Sequence, residues 1–259
     1  MEGTLNRLRK LRIADWALAR WHPLVPYKLK ELPFSIYIDP LRNTQELFTR
    51  SYAVEEEVQQ CLLGLIDQIE FRHFFDIGAN IGFYTWLVHA KSPGTTCHLF
   101  EPDRHNVRIL SKTAKRLGAK NLIINELAVG DHSGKVDFFA DNVTGKTGST
   151  TLVYAGKNYS ENFFSQSRDV SPVQGVTLDS YTQSLSGPFL IKCDVEGTED
   201  LIISGGLNFI RKNKPHIIVE INRNNKKTLP AYIKTLGYNF RIISKAGMLD
   251  QDYYFYPVD

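Results

Sequence analysis

A chain of 259 residues suits one large α/β domain, alone or with an extension, and 42% hydrophobic with 23% charged residues is ordinary for a globular core. A net charge of +3 is too small to point to nucleic acid, and Cys61, Cys97 and Cys193 are spaced for neither a CxxC metal site nor a disulfide framework. With no signal-peptide core at the start and no run approaching the ~18 apolar residues of a membrane span, a reduced cytoplasmic setting is expected.

Residues 4–21 place Leu5, Leu8, Leu11, Trp16 and Leu18 among basic residues, a loosely amphipathic helix whose "RLRKLR" at 7–12 is the one segment suited to an anionic membrane surface. Pro23, Pro26 and Pro33 then break regularity, "FSIYID" at 34–39 alternates as a strand, and 53–69 reads as a helix with Val54, Val58, Cys61, Leu62 and Leu65 on one side. From residue 71 strands and helices alternate. "RHFFDI", "TTCHLFEP", "NLIINELAV", "PFLIKCDV" and "PHIIVEIN" are strands; "NIGFYTWLVHAK", "RHNVRILSKTAKRLG", "GTEDLIISGGLNFIRKN" and "KTLPAYIKTLG" are helices. "KVDFFA" is a shorter strand, 141–170 a polar, glycine- and serine-rich loop or lid, and "NFRIIS" and "YYFYPV" a closing pair around a turn near Gly247. The alternation implies βαβ units in a mostly parallel, doubly wound sheet with an antiparallel strand at its end, and right-handed crossovers put all parallel strand C-termini on one rim.

Acidic residues collect there. Asp76 ends the first core strand, Glu101 the second, and Glu126 lies near the end of the third; Asp194 and Glu196 follow the fourth, and Glu220 and Asn222 end the fifth. Ligands of such folds bind at this rim. After Asp76 comes a turn with Gly78, Asn80 and Gly82, in which glycine allows positive φ and close backbone approach, and Asn80 is placed to cap the next helix. Glu101 stands 19 residues after Gly82, where an acid can accept from ribose hydroxyls. Neither GxGxxG nor GxxxxGK[ST] occurs, so a nucleoside without phosphate fits better. An Asp before the turn suits an ammonium, and S-adenosylmethionine has both groups. A nicotinamide-dependent oxidoreductase and a non-catalytic nucleoside-binding module remain rivals. The missing fingerprint counts against the first and the acid cluster against the second.

"FFDIGANIGFYT" at 74–85, "LFEPDRHNVRIL" at 99–110, "VTLDSY" at 176–181, "LIKCDVEGTEDLIISGG" at 190–206 and "PHIIVEIN" at 215–222 resemble the FkbM family of S-adenosylmethionine-dependent methyltransferases. The resemblance covers about 71–222. It implies a Rossmann-like class I methyltransferase fold, a mostly parallel seven-stranded sheet with a terminal antiparallel strand and helices on both faces, and methylation of a hydroxyl oxygen. The chain is expected to divide into an N-terminal extension, 1–70, helical with a short strand and packing on the site, and a methyltransferase domain, 71–259, with a lid-like insertion at about 141–170; the first 60 residues and that insertion lie largely outside the resemblance. Asp76, Gly78, Asn80 and Gly82 would form the cofactor turn, Glu101 would hold the ribose, and residues from Asn125 through Glu126 to Ala128 would edge the adenine. Asp194 and Glu196 would stand near the methyl group and acceptor as candidate bases, Asp194 also touching the cofactor, with Lys192, on the same strand face as Asp194, a third catalytic candidate or a buried ion-pair partner.

Asp194, Glu220 and Asn222 are also an oxygen set suited to Mg2+ or Ca2+, similar by strand position to metal-dependent O-methyltransferases. The histidines carry no spacing of their own and read as satisfied core or surface groups. Tyr154, Tyr159, Phe163 and Phe164 in the loop suit stacking on sugar rings, so a sugar or glycan is the expected acceptor and a polyketide or other natural product the alternative; no nucleic-acid partner is expected. Tyr52, Glu55 and Glu56 are the residues by which the N-terminal segment would cap the acceptor pocket.

Overall fold

The structure, a computed structural model, describes residues 22–52, 55–141, 168–195, 197–245 and 249–258. The amphipathic helix expected at 4–21, the basic run 7–12, Val54, the aromatic loop residues, Glu196 and the turn at Gly247 lie outside them.

Five parallel strands form the centre: β3 (His73–Ile77), β4 (Thr96–Phe100), β5 (Leu122–Asn125), β9 (Phe189–Cys193) and β10 (His216–Ile221). With β11 (Tyr238–Ile242) and β12 (Gln251–Pro257) they make one sheet of order β11-β12-β10-β9-β3-β4-β5. The chain runs outward from β3 to β5, returns to the other side of β3 with β9, and so reverses at β3. The expected antiparallel strand is β12. It does not lie at the edge but between β10 and β11, antiparallel to both. The crossover from β10 through α8 (Leu229–Thr235) skips one strand position, and the following hairpin fills it.

Alternation along these strands separates two apolar layers. Phe75, Ile77, Ile191, Cys193, Ile217 and Val219 pack with Phe209, Ile202 and Ile233 from α7 (Leu207–Asn213), α6 (Glu199–Gly205) and α8. Phe74, Leu99, Leu190 and Ile218 pack instead with α2 (Glu56–Gln68), α3 (Phe83–Lys91) and α4 (Arg104–Leu117). The buried side of α2 is Val58, Gln59, Cys61, Leu62 and Leu65, as its period implied. α4 starts at Asp103, whose carboxylate accepts from His105 N–H, and ends at Gly118 with φ 62°. All three cysteines are buried and free.

Several elements differ from expectation for identifiable reasons. The helix expected over 197–213 is two, α6 and α7, hinged at Gly206; a side chain at Gly205 would stand 2.0 Å from the Gly130 carbonyl, so a loop crosses the helix there at backbone distance. β1 (Val25–Tyr27) contains Pro26 yet pairs antiparallel with β2 (Ile36–Ile38), which an isolated two-stranded ribbon tolerates. α1 (Thr44–Thr49) is a single short helix that no periodicity announced. The expected loop leaves from β7 (Gly134–Asp141) and returns in β8 (Arg168–Val176), an antiparallel pair joined by β6 (Ala128–Val129) into a second sheet; residues 142–167 lie outside the described residues. Among the described residues no helix is long and apolar enough to cross a membrane.

Candidate active site

The turn after β3 is built from steric need. Gly78 has φ 77° and its added Cβ would lie 1.9 Å from the Asp194 carbonyl oxygen, because the segment leaving β9 passes directly over the turn. Gly82 has φ 82° and would place a Cβ 2.6 Å from Leu110 and 2.8 Å from Trp86 Nε1. Gly82, not Asn80, occupies the N-cap of α3, and the capping role expected for Asn80 is not seen. Asn80 has φ 50°; its N–H donates to Glu101 Oε2 at 2.8 Å, and its buried Oδ1 has no hydrogen-bond partner. Asp76 is 2% exposed and accepts from Thr85 N–H at 3.1 Å and Thr85 Oγ1 at 2.6 Å, so it ties β3 to the first turn of α3 from beneath the glycines.

Glu101 is fully buried and accepts from Asn80 N–H and from Asp103 N–H at 2.9 Å. It thus links the turn after β3 to the turn after β4. Beside it lies a narrow crevice of about 30 Å³ at the point where the chain reverses, lined by Ile77, Gly78, Phe100, Glu101, Ala128 and Asp194 among others. Ala128 lines it; Glu126 does not, being turned outward into an ion pair with Arg104 at 2.7 Å.

A second group gathers on the same sheet face, beyond the turn. The register sets Asp76 beside Lys192 and Glu220 opposite Asp252, and Asp194 follows Lys192 two residues on. Lys192 is 1% exposed; its Nζ is 3.6 Å from Asp194 Oδ2 and 5.0 Å from the centre of the Tyr84 ring, with no hydrogen-bond partner. Burial opposes its charge, but Asp194, Glu55, Asp252 and Glu220 around it raise its pKa well above the ordinary lysine value. The Asp194 charge, then burial, pushes the neighbouring Glu220 carboxyl strongly up, so Glu220 carries the proton of that pair. Burial raises Asp252 to about 7 against the pull of Lys192, and raises Glu55, which accepts from the Tyr84 hydroxyl. Tyr52 stacks on Phe83 at 4.2 Å beside them. The side chain of Asp194 is 28% exposed, against 1% for Lys192.

Tyr52 and Glu55 therefore meet this group, whereas Glu56 faces outward to Gln60. Sequence reasoning missed Asp252 and Tyr84: Asp252 joins only through its pairing with Glu220, and Tyr84 only through the helix that β3 feeds. It also passed over Glu199, which accepts from Gly197 N–H at 2.8 Å and Asn225 Nδ2 at 3.1 Å and is raised by burial to about 7. Asp194 and Glu220 lie together, and the Asn222 Oδ1 accepts from Asn224 N–H at 3.2 Å. The histidines of the sheet are satisfied core groups: His73 contacts His98 at 3.1 Å, and His98 contacts the Tyr181 hydroxyl at 2.9 Å.

So many raised carboxyls set the pH dependence of folding. Their folded pKa values, about 6 for Asp76 and about 7 for Glu101, Glu199 and Asp252, lie above ordinary values of 3.8 and 4.5. Each contributes stability that is complete below the ordinary value and is lost as pH rises through the folded one; for Glu101 alone the loss is roughly 3 kcal/mol. Asp39 and Asp103, held below their ordinary value, act oppositely and only in more acid solution. The ligand-free protein is expected to have a higher urea midpoint near pH 5 than near pH 8. Equal midpoints would mean that these carboxyls are hydrated.

The strand order, the lone antiparallel β12, the glycine turn after the central strand and the acid after its neighbour define a Rossmann-like methyltransferase fold. Residues 76–240 match the methyltransferase FkbM domain, more than half of the chain. The chain belongs to the FkbM methyltransferase family. A curated relative, the 31-O-demethyl-FK506 methyltransferase FkbM of Streptomyces tacrolimicus, is 35% identical over 69 residues, 26% of this chain and 26% of its own. The crystal structure of the methyltransferase FkbM from Methylobacillus flagellatus KT superposes on 72% of this chain with a TM-score of 0.53 at 19% identity. That match spans 44% of the solved chain, so the protein covers under half the length of either relative.

Proposed function

We propose that the protein transfers a methyl group from S-adenosylmethionine to a hydroxyl oxygen, and that the observation carrying this reading is solvent-open Asp194 set beside buried Lys192 at the edge of the cofactor crevice. The residues present fit the cofactor. Gly78 keeps the crevice floor free of a side chain, buried Asn80 Oδ1 has an acceptor to spare for an ammonium, and Glu101, which the Asn106 side chain also approaches, keeps a lone pair for a ribose hydroxyl. Leu127 and Ala128 offer an apolar edge for the base. When bound, the cofactor supplies an electrophilic methyl carbon on a sulfonium.

Asp194 would take the acceptor's hydroxyl proton during the transfer. Glu220, keeping its own proton, leaves Asp194 as the acceptor of that proton. Lys192 positions Asp194 and holds down the negative charge of the cluster. Asp76 shapes the turn through Thr85. Residues 1–70 serve as an extension whose Tyr52 and Glu55 roof the acceptor side of domain 71–259.

The acceptor in this reading is a sugar or glycan, since the rim presents carboxylates, acceptors that suit a partner rich in hydroxyls. The name of the Streptomyces relative favours oxygen as the methylated atom; a polyketide or other natural product is the second choice of acceptor. Calorimetry with S-adenosylmethionine, its demethylated product and NAD separates the rival classes: tight NAD binding without response to the methyl donor would sink the methyltransferase reading. With labelled methyl donor and a cell extract as the acceptor source, Asp194→Asn is expected to bind cofactor within a few-fold of wild type yet lose about 10²–10⁴-fold in transfer. Retained transfer would remove Asp194 from the chemistry.

A further inference from the structure

Away from this site, two imidazoles converge on one carboxylate oxygen. His22 Nδ1 lies 2.6 Å and His105 Nε2 2.9 Å from Asp39 Oδ2. The three ligand atoms lie within 4.8 Å of one another, and this is the only such cluster of His, Cys, Asp or Glu among the described residues. Asp39 is fully buried and rigidly set: its Oδ1 accepts from Leu41 N–H, its N–H donates to Asn43 Oδ1, and its carbonyl accepts from Arg42 and Asn43 N–H. His105 is fixed in the first turn of α4.

The two contacts to Asp39 differ in alignment. The His22 contact has hydrogen-bond alignment, but the His105 contact does not, and the buried Nε2 of His105 is left without a hydrogen-bond partner. A buried imidazole nitrogen 2.9 Å from a carboxylate oxygen but poorly aligned to it has, in the neutral ring, a lone pair that an ion can take. One carboxylate oxygen and two imidazole nitrogens are a donor set for borderline divalent ions of the first transition row. Around Zn2+, ligand atoms about 2.0 Å from the metal stand about 3.3 Å apart, so each imidazole need withdraw by less than about 1 Å.

We propose that His22, Asp39 and His105 bind a divalent transition-metal ion of the Zn2+ class, with the fourth position open to solvent. His22, the most exposed of the three, lines a groove of about 650 Å³ together with Leu24, Val107, Arg108, Ser111, Lys112 and Lys115, which opens the site to solvent. The three ligands come from the start of the described chain, the end of β2 and the start of α4. The ion thus clips the N-terminal segment to the core, next to the buried Arg42–Asp103 ion pair at 2.8 Å. Asp103 N–H in turn bonds Glu101, so the clip bears on the crevice without entering it.

The test is a titration of the full, chelator-stripped chain with Co2+, followed by its visible absorption, and then competition by Zn2+. One equivalent is expected to bind with the spectrum of a low-coordinate nitrogen–oxygen site, and Zn2+ to displace it and raise the melting temperature by several degrees. His22→Ala and His105→Ala are each expected to weaken binding at least tenfold, while His132→Ala, at an exposed histidine, leaves it unchanged. His22 is partly exposed, so its variant keeps its fold, verified by circular dichroism. Binding that survives the double replacement, or no binding tighter than that of the His22→Ala, His105→Ala double variant, overturns the proposal.

Discussion

Lys192→Met is expected to abolish methyl transfer and to destabilise the protein by about 3–5 kcal/mol near pH 8, with most of that loss recovered near pH 5. Among the described residues Lys192 is the one cation set amid Asp76, Asp194, Glu220, Asp252 and Glu55, and it is 1% exposed. Methionine keeps the length of the stem, so packing against Tyr84 changes little, but it leaves those carboxyls without compensation. A buried charge deprived of its partner is what makes such a replacement costly, and a loss of this size is a large part of a typical domain's stability. The pH dependence separates this from a packing defect. Asp252 and Asp76 already take protons at about 7 and about 6 with Lys192 present, and without it they protonate more readily, so acid removes the repulsion. Urea denaturation of both proteins near pH 5 and near pH 8 checks it. A destabilisation that does not change with pH would assign Lys192 to packing alone.

Gly78→Ala is expected to be nearly as damaging, by about 3 kcal/mol or more, and to eliminate cofactor binding in whatever protein remains folded. Two terms add. Alanine at φ 77° is strained by about 1 kcal/mol, and its methyl would lie 1.9 Å from the Asp194 carbonyl oxygen, a backbone atom of β9's continuation that cannot swing aside. Gly118→Ala is the control. Gly118 has φ 62° but nothing within 4 Å of its added Cβ, so only the first term applies and a loss near 1 kcal/mol is expected. Similar losses at both positions would mean that the Asp194 segment gives way, and that the crevice floor is softer than its packing implies.

What each kind of information could supply follows from range. Period-two alternation places Lys192 and Asp194 on one strand face, and the β/α rhythm puts Asp76, Glu101 and Glu220 at one rim; both are local properties of the chain. The glycine turn was legible for the same reason, since its backbone need is met within a few residues. Periodicity says which face a side chain takes but not which strand lies beside it. Only strand order brings Asp252 opposite Glu220, and only the position of β12 between β10 and β11 makes that pairing. Glu126 reads like Glu101 in sequence, yet Arg104 draws it outward. Asn80 looked like a cap, but Gly82 takes the cap because Trp86 and Leu110 leave no room for a side chain there. His22, Asp39 and His105 carry no spacing at all; they meet because β2 and α4 pack on the same layer. Contacts across 17 and 66 residues cost loop-closure entropy that no local pattern records, and the packed core alone decides which of them form.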